Sequence, residues 1–445
     1  MAKALGISPA YVNMLEHNQR SLSVSLLMSL TETYGVDWRD LIKDDDANLL
    51  ADLRNALKDP VFDTESPDLQ ELRAAIDHAP QLVRHFLGLY RNHRGTVDRL
   101  LKMESLQQVE ELTSVSPEAT VHNLFRENDN YFAALEASAG TVLQDAPCAP
   151  DDTYAMLKGR LHDKHGLRVE ILSVEAMSET LRSFDEKAGR IALSEALDHQ
   201  NRTFQLAYML GLLEFPETLD AIVTGRRNLS DAGLNRCRVE LANYFAAALL
   251  MPYDRFYQAA EETQYDVDRL SARFGVSFEQ VCHRLTTLQR EGAKGIPFFF
   301  LRVDKAGNVT KRFNASSFNL AEHGGACPVW NIHTAFRTPG VILPQFVELP
   351  EGDRYFTISR TADRPVFSKD TQDRRVAITL GCELSYADRL IYTAPFNLAD
   401  RELYSPIGIN CHICSRKACS QRAHQPLFVE LSINPKHRGT TRYES

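Results

Sequence analysis

At Gly295-Ile296-Pro297 the periodicity of this chain changes, and nothing else in the sequence constrains its fold as tightly. Upstream, apolar residues recur at the spacing of amphipathic helices, with a short strand pair near "RVEILSV" and "RIALS" as the exception. Downstream, "FFFLRVD", "NVTKRF", "RYFTISR" and "RVAITLG" alternate or run apolar between turn residues, which predicts strands. A chain of 445 residues exceeds one ordinary core, so several domains are expected. The fold class that follows is multidomain, mainly α with an α+β C-terminal domain of about 150 residues. The acidic "KDDD" (43–46) and the turn-rich "QDAPCAPDD" (144–152) set the other boundaries. The expected segments are 1–45, 46–150, 151–295 and 296–445.

Net charge of -9 argues against indiscriminate coating of nucleic acid, yet leaves room for one locally basic DNA-reading module. The apolar runs "FAAALLM" and "IPFFFL" are far too short to span a bilayer, and "MAKALGISPA" lacks the apolar core of a secretory signal. A cytosolic protein with no membrane partner and reduced thiols is therefore expected. Phosphate-cradling GxGxxG and GxxxxGK patterns are absent, as is the nucleophile elbow GxSxG.

The head carries a helix-turn-helix pattern. Met1, Leu5, Ile7, Val12 and Leu15 have the spacing of a core shared by two helices, Ala2 is small where they cross, and Gly6 suits the turn. Ser8 is placed to cap the second helix, with Pro9 at its first position. That helix would present Ser8, Tyr11 and Asn13 to base edges, with Asn18 and Arg20 just beyond it for phosphates. The stretch 5–41 resembles the Xre/Cro-type DNA-binding domain along its whole length. That fold begins with a further helix, so the first helix is missing; a misassigned start or a shortened chain is the expectation.

Residues 66–112 read as a helical arm. Ser66-Pro67 suits an N-terminus, Leu69, Leu72 and Ile76 begin a stripe, Pro80 interrupts it, and Leu82, Val83, Phe86, Leu87 and Tyr90 resume it. Such a helix either packs on its own domain or joins two copies as a homodimer or higher oligomer.

"RTFQLAYMLGLLE" (202–214), "ELANYFAAALLMP" (240–252) and "LSARFGVSFEQVCHRLTTLQ" (270–289) resemble the ImmA/IrrE-type metallopeptidases. Active members carry His-Glu-x-x-His, two zinc ligands one turn apart and a general base. Here Tyr208, Met209 and Leu212 hold those places, and Glu240, near the family's third ligand, has no ligating partners. Catalysis fails on chemistry, since a catalytic zinc needs about three protein ligands. What remains is a scaffold whose former cleft is a filled core or an apolar pocket. The hairpin at 270–289 is expected to pack rather than read DNA.

Five cysteines, Cys148, Cys237, Cys282, Cys327 and Cys382, are scattered, as small buried apolar residues usually are. Cys411, Cys414 and Cys419 are clustered as Cys-x2-Cys-x4-Cys, which in a reducing compartment reads as metal or cluster ligation. Thiolates favour zinc or iron–sulfur clusters. Zinc can be completed by His412 or His424; a four-iron cluster can take Cys327 or Cys382, or leave one iron open.

With "GGACPVWNIHTAF" (324–336) and "GINCHICSRKACSQRAHQP" (408–426), the whole architecture resembles the short-chain fatty acyl transcriptional regulators. The resemblance implies a helix-turn-helix head, a helical linker, a degenerate metallopeptidase-like middle and a C-terminal domain that binds a metal or cluster. It implies operator DNA and a short-chain acyl-CoA as partners, no enzymatic activity, and a 4Fe-4S cluster on Cys411, Cys414 and Cys419, with zinc as the alternative. A CoA site needs basic residues leading to an apolar wall. "RVDKAGNVTKR" (302–312) and Arg374 and Arg375 are candidates for the first, and Trp330, His333 and Phe336 for the second.

Overall fold

The computed structural model describes residues 67–103, 117–146, 152–224, 230–316, 326–365, 374–417 and 419–426, together with 7–16 and a few isolated positions. The chain divides into two compact units, Met1–Val109 and Glu110–Ser445. The segment expected as one linker, 46–150, is thus shared between them.

In the first unit, α1 (Pro9–Glu16) starts as expected: Ser8 Oγ accepts the Tyr11 N–H at 3.1 Å. Helix α2 (Leu69–His78) is capped by Asp68 rather than Ser66. Its carboxylate accepts the N–H groups of Gln70 and Glu71, while Glu71 accepts the Asp68 N–H, a complete capping box. Ala79 breaks the helix and α3 (Pro80–Met103) follows. Leu72, Ile76, Val83 and Leu87 bury against Leu53 and Ala56. Leu69 and Leu82, expected in the same stripe, are exposed.

The second unit opens with α4 (Pro117–Glu127), α5 (Ala133–Asp145) and α6 (Thr153–His165). A three-stranded sheet follows: β1 (Arg168–Leu172) and β3 (Arg190–Ser194) pair in parallel, and β2 (Arg182–Asp185) pairs antiparallel to β3. Between β1 and β2 runs the single turn α7 (Val174–Met177). Then come α8 (His199–Glu214), α9 (Pro216–Val223), α10 (Asp231–Leu250), α11 (Tyr253–Glu262), α12 (Val267–Phe274) and α13 (Phe278–Leu285). Helix α10 is the hub. Cys237, Leu241, Tyr244, Phe245 and the alanines 246–248 are buried, so its second half is apolar nearly all round, as a central helix must be. Gly211 of α8 faces it so closely that a Cβ there would lie 2.6 Å from the Phe245 ring. The hairpin α12–α13 packs as expected, with Leu270, Phe274, Val281 and Leu285 in the main core.

The tail forms a six-stranded sheet in the order β5-β4-β8-β7-β6-β9. Its strands are β4 (Phe299–Val303), β5 (Val309–Asn314), β6 (Leu343–Glu348), β7 (Arg354–Ala362), β8 (Val376–Glu383) and β9 (Tyr404–Pro406). All neighbours are antiparallel except β6 and β9. Both faces are covered, which explains strands that run apolar instead of alternating. Phe300, Phe356, Ile358 and Leu380 join the core of the middle domain. On the opposite face Phe299, Leu301, Val347 and Tyr355 pack with Phe318, Cys327 and Trp330.

Candidate functional site

That second face positions the cysteines. After β9 the ladder to β6 extends by one bond, the Ile407 N–H donating to the Glu348 carbonyl at 3.0 Å. Arg416 then folds the loop back: its Nε donates to the Ile407 carbonyl at 3.0 Å and its Nη2 to that of Glu348. Within the loop, the Gly408 N–H donates to Cys327 Sγ at 3.4 Å. A Cβ on Gly408 would lie 2.7 Å from Cys414 Sγ, so only glycine lets Cys414 pack this close to the backbone that bonds Cys327. Cys411 and Cys419 line the same pocket, which encloses about 300 Å³, part of it open to solvent. Four thiols therefore converge, two buried (Cys327, Cys414) and two half-buried (Cys411, Cys419).

Burial pushes the Cys327 thiol pKa up, against the N–H groups of Gly408 and Val329, and Cys411 and Cys414 push it further. Four soft donors whose thiolates repel one another suit a soft cation or cluster, which would bind them deprotonated. Among the described residues no three His, Cys, Asp or Glu groups close on a single ion. Binding would have to draw the sulfurs together, as metal sites that form with their ligand do. Cys382 is separate from all this. It pairs with Phe356 in the sheet and enters the core on the opposite face, where burial raises its pKa. His412 and His424 stack on each other, ring centroids 4.6 Å apart, and neither lines the pocket.

The former peptidase position is a filled core. Tyr208 and Met209 are buried, and Leu212 packs against the same cluster. The Arg182 guanidinium lies 3.9 Å over the Tyr208 ring and donates to Gln205 at 2.6 Å. Glu240, which has no ligating partners in the sequence, is held by cations instead: Arg236 at 3.0 Å and Lys311, from β5, at 3.2 Å. Burial alone would raise its pKa, but Lys311, Arg236 and His283 hold it at about 2. Lys311 belongs to the stretch 302–312 expected to meet CoA phosphates, yet it is an internal partner of Glu240, because nothing local marks a lysine on a strand as one.

The residues expected to bind CoA do not form one site. Trp330 is core: its Nε1 donates to Thr357 Oγ1 at 3.4 Å, and Phe299 and Phe318 surround it. Phe336 packs against the same cluster, and His333 Nε2 meets the Ala326 carbonyl at 3.2 Å. Arg374 pairs with Glu179 at 3.0 Å and Arg375 with Asp363 at 2.7 Å. Thr357 registers with Gly381 while the arginines precede Val376, so roughly 20–23 Å of strand separates the two groups. In the head, Ser8 and Asn13 are exposed and Tyr11 is half-buried; Asn18 and Arg20 lie outside the described residues.

Comparison with known proteins places these observations. Residues 287–443 match the family described as short-chain fatty acyl coenzyme A regulator, C-terminal. Residues 162–286 match the IrrE N-terminal-like domain and 1–41 the helix-turn-helix. The chain is 40% identical to the propionyl-CoA carboxylase regulator of Cereibacter sphaeroides, over all of this chain and 94% of that one. It is 35% identical to the HTH-type transcriptional regulator RamB of Mycobacterium tuberculosis, over 99% of this chain and 93% of that one. A solved Mycobacterium tuberculosis transcriptional regulator superposes with a TM-score of 0.70 at 34% identity, covering 74% of this chain and 100% of that chain.

Proposed function

The chain belongs to the short-chain fatty acyl coenzyme A regulator family, and from that premise we propose that it is a DNA-binding regulator of acetate- or propionate-type metabolism whose operator affinity answers to a short-chain acyl-CoA. The head reads operator DNA, and as a homodimer or higher homo-oligomer it would address paired half-sites. It works in the cytoplasm, where its operator lies; among the described residues no helix is long and apolar enough to cross a membrane. The middle domain is a scaffold and not a peptidase, because Tyr208, Met209 and Leu212 offer neither a zinc ligand nor a base.

One observation carries the reading of the tail: Cys327, Cys411, Cys414 and Cys419 line one pocket. We assign them as the ligands of an iron–sulfur cluster, with zinc as the alternative tenant of the same donor set. When bound, such a cluster supplies a redox-sensitive staple for the loop 407–419. Gly408 bonds Cys327 through its N–H and leaves room for Cys414 against its Cα, and Arg416 holds the loop to β6. The effector can change DNA binding only through unequal affinity for two conformations, and a coupling of about 1–3 kcal/mol would be typical.

The test has two arms. Protein purified without oxygen should contain iron and acid-labile sulfide; stoichiometric zinc without iron would replace the cluster by zinc. Acetyl-, propionyl- and methylmalonyl-CoA are titrated into the protein with operator DNA. One of them should shift the binding isotherm about 5–150-fold. If none binds and none shifts it, the protein is a metal-stapled DNA-binding protein without an effector.

A further inference from the structure

Arg422 is the one pocket-lining side chain whose chemistry the thiols alone do not explain. Its main-chain N–H donates to the Cys419 carbonyl at 3.3 Å, a tight turn that brings the side chain back over the pocket wall. The residue is 7% exposed. Nη2 donates to the Arg416 carbonyl, while Nε and Nη1 are buried with no hydrogen-bond partner among the described residues. A buried guanidinium with idle donors is costly, and its usual remedy is an anion. Among the described residues, no aspartate or glutamate lines this pocket. The neighbouring guanidinium, Arg416, already donates to two carbonyl oxygens. Among the described residues, the anions that Arg422 can meet here are the cysteine thiolates and whatever they bind.

We infer that Arg422 is the positioning residue that offsets the negative charge of the metal–thiolate centre, an inference that rests on the cluster reading of the four cysteines. Four thiolates around an iron–sulfur core leave it anionic, and one-electron reduction adds a further negative charge. A fixed cation in the wall, weakly screened because it is buried, favours the reduced state and so raises the reduction potential. Arginine suits the task better than lysine because its rigid fork presents separate N–H groups to different acceptors at once.

The experiment compares full-length wild type, Arg422→Gln and Arg422→Lys, all purified anaerobically. Iron, sulfide and zinc are measured first, then the midpoint potential by spectroelectrochemical titration. Arg422→Gln should keep its iron and sulfide, with the midpoint displaced to more negative values. A roughly tenfold loss in the equilibrium constant for reduction corresponds to about 59 mV for one electron. Arg422→Lys should fall between the two. If Arg422→Gln fails to load, a loaded Arg422→Lys with a near-wild-type midpoint supports the charge role. So does failure of both to load while their metal-free circular dichroism matches that of metal-free wild type. A fully loaded Arg422→Gln with an unmoved midpoint overturns the inference and leaves the cluster standing. Loss of the metal-free fold in both variants also overturns it, in favour of a purely structural arginine. Wild type lacking iron and sulfide sinks the cluster reading itself, and this inference with it.

Discussion

Arg284 forks onto Glu136 across 148 residues of sequence, Nη1 to Oε1 at 2.6 Å and Nη2 to Oε2 at 2.9 Å. The guanidinium is fully buried and also donates to the Met251 carbonyl, while Tyr244 donates its hydroxyl to the same carboxylate at 2.6 Å. Burial alone would lower the arginine's pKa, but Glu136 holds it charged. This fork ties α5, which local periodicity alone assigns to a linker, to the hairpin α12–α13.

Arg284→Met should therefore be strongly destabilising. Removing one partner of a buried pair leaves the other charge uncompensated, which costs about 3–5 kcal/mol. Arg284→Met combined with Glu136→Leu should recover part of that loss, because it removes both charges. Chemical denaturation of the four members of this double-mutant cycle measures the coupling. A single variant as stable as wild type would mean that the pair carries no net interaction.

Glu240 predicts an acid limb. Its folded pKa, about 2, lies below the ordinary carboxylate value of 4.5, so its contribution is fully present above about pH 4.5. It is lost as pH falls through the folded value. A displacement of this size corresponds to about 3 kcal/mol. Glu240→Gln should flatten the part of the stability–pH curve between these limits, and Lys311→Met should move the acid transition to higher pH. Unfolding curves taken at successive pH values test both, and unchanged acid limbs would remove Glu240 from the account.

What was legible depended on how local the signal was. The strands around Phe300, Phe356 and Ile378 were readable because a sheet covered on both faces writes long apolar runs. Strand β6 was not, since Pro344 demotes its segment, and three-residue β9 is too short to register. The triplet Cys411, Cys414 and Cys419 announced itself by spacing. Cys327 and Cys382 were equivalent in sequence, and only the sheet tells them apart by putting them on opposite faces. Trp330 shows the opposite failure: an aromatic beside Cys327 looks like a ligand wall, yet here it is core.

That separation of faces predicts the fourth ligand. Cys327→Ser should lose iron and sulfide as completely as Cys414→Ser, whereas Cys382→Ser should retain both. Cys382→Ser buries a hydroxyl in an apolar core and should cost stability instead, about 1–3 kcal/mol. Metal analysis beside thermal melts separates the two effects. Equal metal loss in the Cys382 and Cys327 variants would contradict the assignment.

Gly408→Ala tests the geometry of the pocket without touching a sulfur. The added Cβ would stand 2.7 Å from Cys414 Sγ and 3.0 Å from Cys414 Cβ. Two atoms of one short side chain are in the way, so rotation about a single bond does not relieve the clash. Either the loop shifts away from Cys327 or the Cys414 thiol leaves the pocket; overpacking of this kind typically costs about 1–3 kcal/mol. Either route moves a sulfur, Cys327 bonded by the Gly408 N–H or Cys414 packed on its Cα, out of the pocket, so iron and sulfide content should fall several-fold although every cysteine remains. Gly140→Ala is the control. Gly140 lies inside α5 with nothing within 4 Å of a built Cβ, and alanine there should be neutral or stabilising by up to about 1 kcal/mol. Parallel metal assays and melts on the two alanine variants decide the matter, and a Gly408→Ala protein that loads like Gly140→Ala would show that the close approach to Cys414 is dispensable.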